Sequence, residues 1–169
     1  MNKISGKIIN YDSSYTGTIE FSDKIEFVYK NKQSDFENII IPGFIDLHCH
    51  GGNGFDTMAG LSSIKEISKY HLKHGTTTLL PTTLTASFDN TINAVEGIDD
   101  FINQNTNKTN ILGVHLEGPF INPNKLGAQP PFTQLPNIDF IDQNTNKTNI
   151  LGVHLEGPFI NPNKLGAQP

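Results

Sequence analysis

No arginine occurs in the 169 residues, and all twelve basic side chains are lysines. Any phosphate held by this chain must therefore rest on Lys, His or backbone N–H groups, because the bidentate guanidinium fork is missing. Cysteine is nearly absent too. Cys49 stands alone, which excludes an internal disulfide and fits a reducing compartment. No apolar run approaches the ~20 residues of a membrane span. The opening segment, residues 1–15, lacks the apolar core of a signal peptide, so the expected location is the cytoplasm with no membrane partner. Positive charge is not in excess: the net charge is -5 and the pI about 5.6, which removes the electrostatic footprint of a nucleic-acid binder. What is present, 36% apolar and 17% charged residues, fits a globular protein somewhat poor in core formers. Its 15 glycines and 10 prolines imply many turns.

An internal repeat changes how the C-terminal part is read. Residues 100–130 recur as residues 139–169, differing only at Asn103/Asp142. Solenoid repeats usually diverge, and three or more are needed to bury a shared core. Two near-identical copies read instead as a tandem duplication, a frameshifted gene or an assembly error. The second copy, with His154 and Glu156, is expected to add no new type of strand and no domain of its own.

Residues 1–40 carry short β-like runs (7–9, 17–21, 24–29) separated by turn residues at 10–14, 22–23 and 31–34, which predicts a small antiparallel unit. Residues 39–50 read as one apolar strand ending in histidines, followed by a Gly51-Gly52-Asn53-Gly54 loop. Ser63-Ile64-Lys65-Glu66 has the form of a capping box, predicting a helix to about His74 that Gly75 stops. A strand over 76–83, a helix over 88–102 with Phe88, Ile92, Val95 and Ile102 on helical spacing, and a strand over 111–117 follow. This alternation predicts parallel βα units, whose chemistry sits at the C-terminal ends of the strands.

Strand side chains alternate faces, so His48 and His50 point the same way and Cys49 points toward the helices. Two imidazoles so placed can converge on one divalent metal, or can simply hydrogen-bond in polar surroundings. Cys49 reads as a small packed residue. The same parity places His115 and Glu117 together, with Ile111 and Gly113 on their face and Leu112, Val114 and Leu116 toward the helices. A carboxylate there must be paired or on a metal. Glu117 is thus a metal ligand, or else an ion-paired or loop-capping carboxylate, whereas His115 supports the site or touches substrate. His71 and His74, three apart on a helix, read as an exposed pair. Lys125 and the Gly127–Pro130 loop are natural substrate contacts above strand ends, or else an ordinary Pro- and Gly-rich loop.

Pro42-Gly43-Phe44-Ile45-Asp46-Leu47-His48-Cys49-His50-Gly51-Gly52 resembles the opening strand of the amidohydrolase superfamily. His115-Leu116-Glu117-Gly118-Pro119-Phe120, followed by Lys125-Leu126-Gly127-Ala128-Gln129-Pro130, is more specific and resembles the N-acetylglucosamine-6-phosphate deacetylase family. Gly75-Thr76-Thr77-Thr78 and Leu80-Pro81-Thr82 match that family's second strand. The resemblance covers about residues 1–131.

It implies an α/β fold class: an incomplete (β/α)8 TIM-type barrel holding the first three βα units, preceded by part of a small β-sandwich. The implied domains are a partial sandwich (1–40), the N-terminal part of the barrel (41–131) and the duplicate with a short linker (132–169). It implies metal binding by Glu117, with His48 and His50 as extra ligands that allow a second ion, and substrate contacts from Ala128, Gln129 and His115. The cofactor would be one or two divalent ions, zinc or iron, and the partner a small amino-sugar phosphate, with a homo-oligomer possible at full length. The implied reaction is deacetylation of N-acetylglucosamine 6-phosphate to glucosamine 6-phosphate and acetate. The family's general-base aspartate and two later histidines have no counterpart here, so the 169-residue chain is expected to be an inactive fragment with no catalytic residue of its own. The alternatives are a non-catalytic product that binds metal or a partner at most, and an amidohydrolase of different substrate.

Overall fold

Pro42 and Gly43 divide what reads in the sequence as one apolar strand. Pro42 has no N–H to give a ladder, and the chain separates here into two units, residues 1–43 and 44–169. The structure, a computed structural model, describes residues 1–31, 37–104, 109–145 and 150–154. The expected turn residues 32–34 and the second copy's Glu156 lie outside the described residues.

In the first unit, β1 (Asn2–Ile9), β2 (Ser14–Phe21), β3 (Ile25–Lys30) and β4 (Ile39–Ile40) form one sheet in the order β3-β2-β1-β4. Their β-branched and aromatic residues suit a pleated surface. The first hairpin is closed by Asn10 N–H donating to Ser13 O at 2.8 Å. Only three of the four strands are antiparallel neighbours; β4 joins β1 in parallel, with Lys7 opposite Ile39 and Ile8 opposite Ile40. Ile39 and Ile40 thus belong to this sheet and not to the histidine-bearing strand. Gly17 is required by close approach: a Cβ there would come within 2.6 Å of the Tyr29 carbonyl oxygen.

The second unit alternates strand and helix. Its elements are β5 (Phe44–Cys49), the small hairpin β6 (Gly51–Gly52) and β7 (Phe55–Asp56), a 3-10 turn (Thr57–Ala59), α1 (Leu61–Lys73), β8 (Thr76–Pro81), α2 (Phe88–Gln104), β9 (Asn110–Ile111), β10 (Val114–Glu117), α3 (Ile138–Thr145) and β11 (Ile150–His154). β5, β8 and β9 run parallel in that order, and β10 pairs in parallel with β11. An isolated parallel bridge between Thr82 and His115 carries the pairing from the end of β8 to β10.

Helix α1 starts earlier than the capping-box pattern predicts. The N–H groups of Ser63 and Ile64 already donate to Gly60 O at 3.0 and 3.1 Å, and the Ser63 hydroxyl donates to Asp56 O at 2.6 Å. Glu66 pairs instead with Lys69 at 2.6 Å. The C-terminal end is as the sequence predicts: His74 caps the helix and Gly75 follows at φ +93°. In α2 the deeply buried apolar residues are Ala94, Val95, Ile98 and Phe101; of the predicted stripe only Val95 is among them, while Ile102 borders the main core and Phe88 and Ile92 pack on a second cluster.

α2 crosses the start of α1 at Gly97. A Cβ at this position would lie 2.6 Å from Leu61 N and 2.7 Å from Gly60 Cα, backbone atoms that cannot swing away. Gly97→Ala is therefore expected to destabilise the unit by about 1–3 kcal/mol, the usual range for overpacking. A urea-unfolding midpoint equal to wild type would contradict this packing.

The third predicted strand breaks in two. β9 ends at Ile111, and Leu112 N–H donates to Leu79 O at 3.3 Å before β10 begins at Val114. The break slips the alternation. Ile111 is buried with Val114 in the main core, whereas Leu112 is exposed, the reverse of the parity read from an unbroken strand.

The second copy forms a helix and a strand of the types already present. Its helix and strand, α3 and β11, extend the βα pattern, and β11 lies beside the first copy's own strand, with Glu117 opposite His154. Phe140 is buried in a second cluster with Leu116 and Phe120, and Phe88 packs on it with ring centroids 4.5 Å apart.

Candidate metal centre

Three side chains from two strands converge at the C-terminal end of the parallel sheet. Thr82 and Thr83, both fully buried, fix their backbones. Thr82 N–H donates to Cys49 O at 2.8 Å, and Cys49 N–H donates to the Thr82 hydroxyl at 2.9 Å. With the Cys49 backbone held on both sides and its side chain in the core, His48 and His50 face the other way. On the far side, Thr83 N–H donates to His115 O at 3.0 Å, and Glu117 N–H donates to the Thr83 hydroxyl at 3.2 Å. Adjacent threonines thus set the spacing between the histidine strand and the glutamate strand. Sequence reasoning passed over this role, although two β-branched hydroxyl residues at a strand end were the available signal.

His48 Nε2, His50 Nε2 and Glu117 Oε2 form a triangle with edges of 2.9, 3.0 and 3.2 Å. Ligand atoms around one ion at about 2.1 Å lie roughly 3.0–3.4 Å apart in octahedral or tetrahedral geometry, so the edges suit a shared cation. The tautomer of His50 points the same way. Its Nδ1 lies 3.2 Å from Thr82 O, a carbonyl that only accepts, so Nδ1 donates and Nε2 is the nitrogen turned to the triangle, where it could ligate an ion. Glu117 is 6% exposed, and its Oε2 has no hydrogen-bond partner among the described residues, although both imidazoles stand at ion-pair distance. This buried carboxylate oxygen is left without a hydrogen bond, and a divalent ion would satisfy it.

His115 and the loop residues border this triangle. The His115 ring meets His48 edge to face at 4.8 Å, and its Nδ1 lies 3.0 Å from Leu47 O. Gln129 Nε2 donates to Glu117 Oε1 at 2.7 Å. Ala128, beside it, is exposed.

A second group, Asp46, Cys49 and His71, also brings ligand-type atoms together. Its atoms are engaged with one another and with backbone: Cys49 Sγ donates to Gly51 O at 3.2 Å and lies 3.3 Å from His71 Nε2, while Asp46 Oδ1 accepts from His48 N–H at 3.1 Å. Burial pushes the Cys49 thiol above the ordinary value, which keeps it protonated near neutrality. His71 is therefore not half of an exposed pair. It packs beneath Gly52, where a Cβ would lie 2.9 Å from its Nε2, while His74 turns to Tyr70 O at 2.8 Å.

Comparison with known proteins matches residues 39–164 to the amidohydrolase family. The chain belongs to the amidohydrolase family. Amidohydrolases are metal-dependent, and this member has a donor set suited to an ion. Among curated relatives, the amidohydrolase is similar to N-acetylglucosamine-6-phosphate deacetylases of Bacillus subtilis (37% identical over 105 residues, 60% of this chain and 26% of the relative) and Lysinibacillus sphaericus (38% over 92 residues, 54% and 24%). Among solved structures it is similar to the N-acetylglucosamine-6-phosphate deacetylase of Thermotoga maritima, with a TM-score of 0.74 and 31% identity over 84% of this chain and 39% of that one. The chain spans about a quarter of the length of the curated relatives it matches.

Proposed function

We propose that this segment is the metal-binding N-terminal part of a deacetylase that converts N-acetylglucosamine 6-phosphate to glucosamine 6-phosphate and acetate. The observation that carries the reading is the His48–His50–Glu117 triangle, with its unsatisfied buried carboxylate oxygen, inside the 39–164 stretch that matches the amidohydrolase family, in a chain similar to deacetylases. The fold proposed for the whole is a (β/α)8 barrel begun by β5, β8 and the β9–β10 pair, with residues 1–40 a share of a small β-sandwich. Residues 41–131 are the barrel's own N-terminal part, and residues 132–169 a duplicate.

Glu117 would supply the negative charge that binds one ion, zinc or iron, and His48 and His50 two neutral nitrogens; the histidine pair leaves room for a second ion. Such an ion, when bound, acidifies water and polarises the acetamide carbonyl. Ala128, Gln129 and His115 are the proposed substrate contacts. Without arginine, this segment's hold on the sugar phosphate comes from backbone N–H groups, lysine and histidine. No general base is assigned within the segment. A phosphorylated sugar as substrate fits the cytoplasm.

The test is a chimera of residues 1–131 fused to the remaining length of the Bacillus subtilis relative. It is expected to release acetate from N-acetylglucosamine 6-phosphate, and Glu117→Ala in the same chimera to lower the rate to background. A folded, metal-loaded chimera that leaves the sugar phosphate intact but opens cyclic amides would overturn the substrate assignment.

A further inference from the structure

Gln129 lies in the loop read as a substrate contact, yet its side chain is already committed. Thr85 N–H donates to Gln129 Oε1 at 3.1 Å, and Gln129 Nε2 donates to Glu117 Oε1 at 2.7 Å. The two bonds fix each other. A backbone N–H can only donate, so it selects the oxygen end of the amide, and the NH2 end must then face the carboxylate. Thr85 is itself 2% exposed and sits against Gly118, whose φ of +67° turns the chain away immediately after Glu117. The amide is thus anchored on a buried backbone group, not on a loose loop.

From this geometry we infer that Gln129 is a positioning residue for the metal-ligating carboxylate: it engages Oε1 and so directs Oε2 at the nitrogens of His48 and His50. A carboxylate free to rotate would exchange its oxygens and its angle. One held by a donor on Oε1 presents a single oxygen to the ion without reorganisation. Partners that orient a ligand in this way typically account for about 10–100-fold in metal affinity. The inference rests on the metal-centre reading above and gives the Gln129 side chain a role toward the ion's ligand, beside the sugar contact proposed for this residue.

The experiment uses the complete 169-residue chain and zinc alone, titrated against a competing chelator. Wild type binds the ion. Gln129→Met keeps the length and loses both hydrogen bonds. Gln129→Glu keeps the acceptor for Thr85 N–H and places an oxygen where the donor was. Both variants are expected to bind zinc about 10–100-fold more weakly, with unchanged far-ultraviolet circular dichroism. Ile98→Val, which loosens the core without touching the site, should bind as wild type does. Wild-type affinity in either folded Gln129 variant, or an equal loss in Ile98→Val, would overturn the inference while leaving the metal centre standing. No zinc binding by the folded wild type would overturn the metal centre, and the inference with it.

Discussion

Glu117→Ala is expected to reduce bound divalent ion from about one per chain to background after dialysis, measured by elemental analysis on folded protein. Glu117 is the only carboxylate in the triangle, so its loss leaves two imidazoles, one of them on an exposed side chain. Stability should respond in opposite directions with and without ion. A buried carboxylate oxygen with no hydrogen bond is a liability in the ion-free protein. Glu117→Gln, which keeps the shape and drops the charge, is therefore expected to unfold at the same or a higher temperature than wild type when zinc is chelated. With zinc at a hundred times its dissociation constant, wild type should gain about 2.7 kcal/mol through linkage and the variant nothing. A variant less stable than wild type under chelation would mean that the carboxylate is already satisfied by the protein alone.

The second large effect concerns the duplicated sequence. Phe101 and Phe140 occupy equivalent places in the two copies, yet they enter different cores. Phe140 packs among Leu116, Phe120 and Phe88, directly behind the strand that carries Glu117. Phe140→Ala is expected to cost about 3–5 kcal/mol, as for other buried aromatic residues. A domain's whole stability is often about 5–15 kcal/mol, so the loss should be plain in equilibrium urea unfolding. A change within about 0.5 kcal/mol, usual for a surface substitution, would show that the second copy trails from the fold without joining it.

Much of the site was legible because strand parity is a local rule. Cys49 at a strand end, with a histidine on each side, can only send both imidazoles to one face once the thiol enters the core. The Gly75 stop is equally local, whereas of the α2 stripe read from the sequence only Val95 lies in the deep core. What stayed hidden depends on interruption or on distance. The split at Pro42–Gly43 hands Ile39 and Ile40 to another sheet, although the apolar run reads straight through. The break after Ile111 inverts the burial of Ile111 and Leu112, since alternation holds only while a strand is unbroken. The Ser63–Glu66 pattern lost to an earlier turn that starts at Gly60. The bond from Gln129 to Glu117 joins a loop to a strand end, and no periodicity announces such a contact. The fate of the second copy depended on whether Phe140 would find a hydrophobic surface, a question of tertiary packing that an identical local sequence cannot answer.

The most direct measurement of the metal centre is X-ray absorption at the zinc edge on the zinc-loaded chain. The triangle of His48, His50 and Glu117 predicts a first shell of nitrogen and oxygen only, with the outer-shell scattering of two imidazoles and none of it left in His48→Ala/His50→Ala. A sulfur at about 2.3 Å would instead place the ion with Cys49 and His71, and would contradict the account.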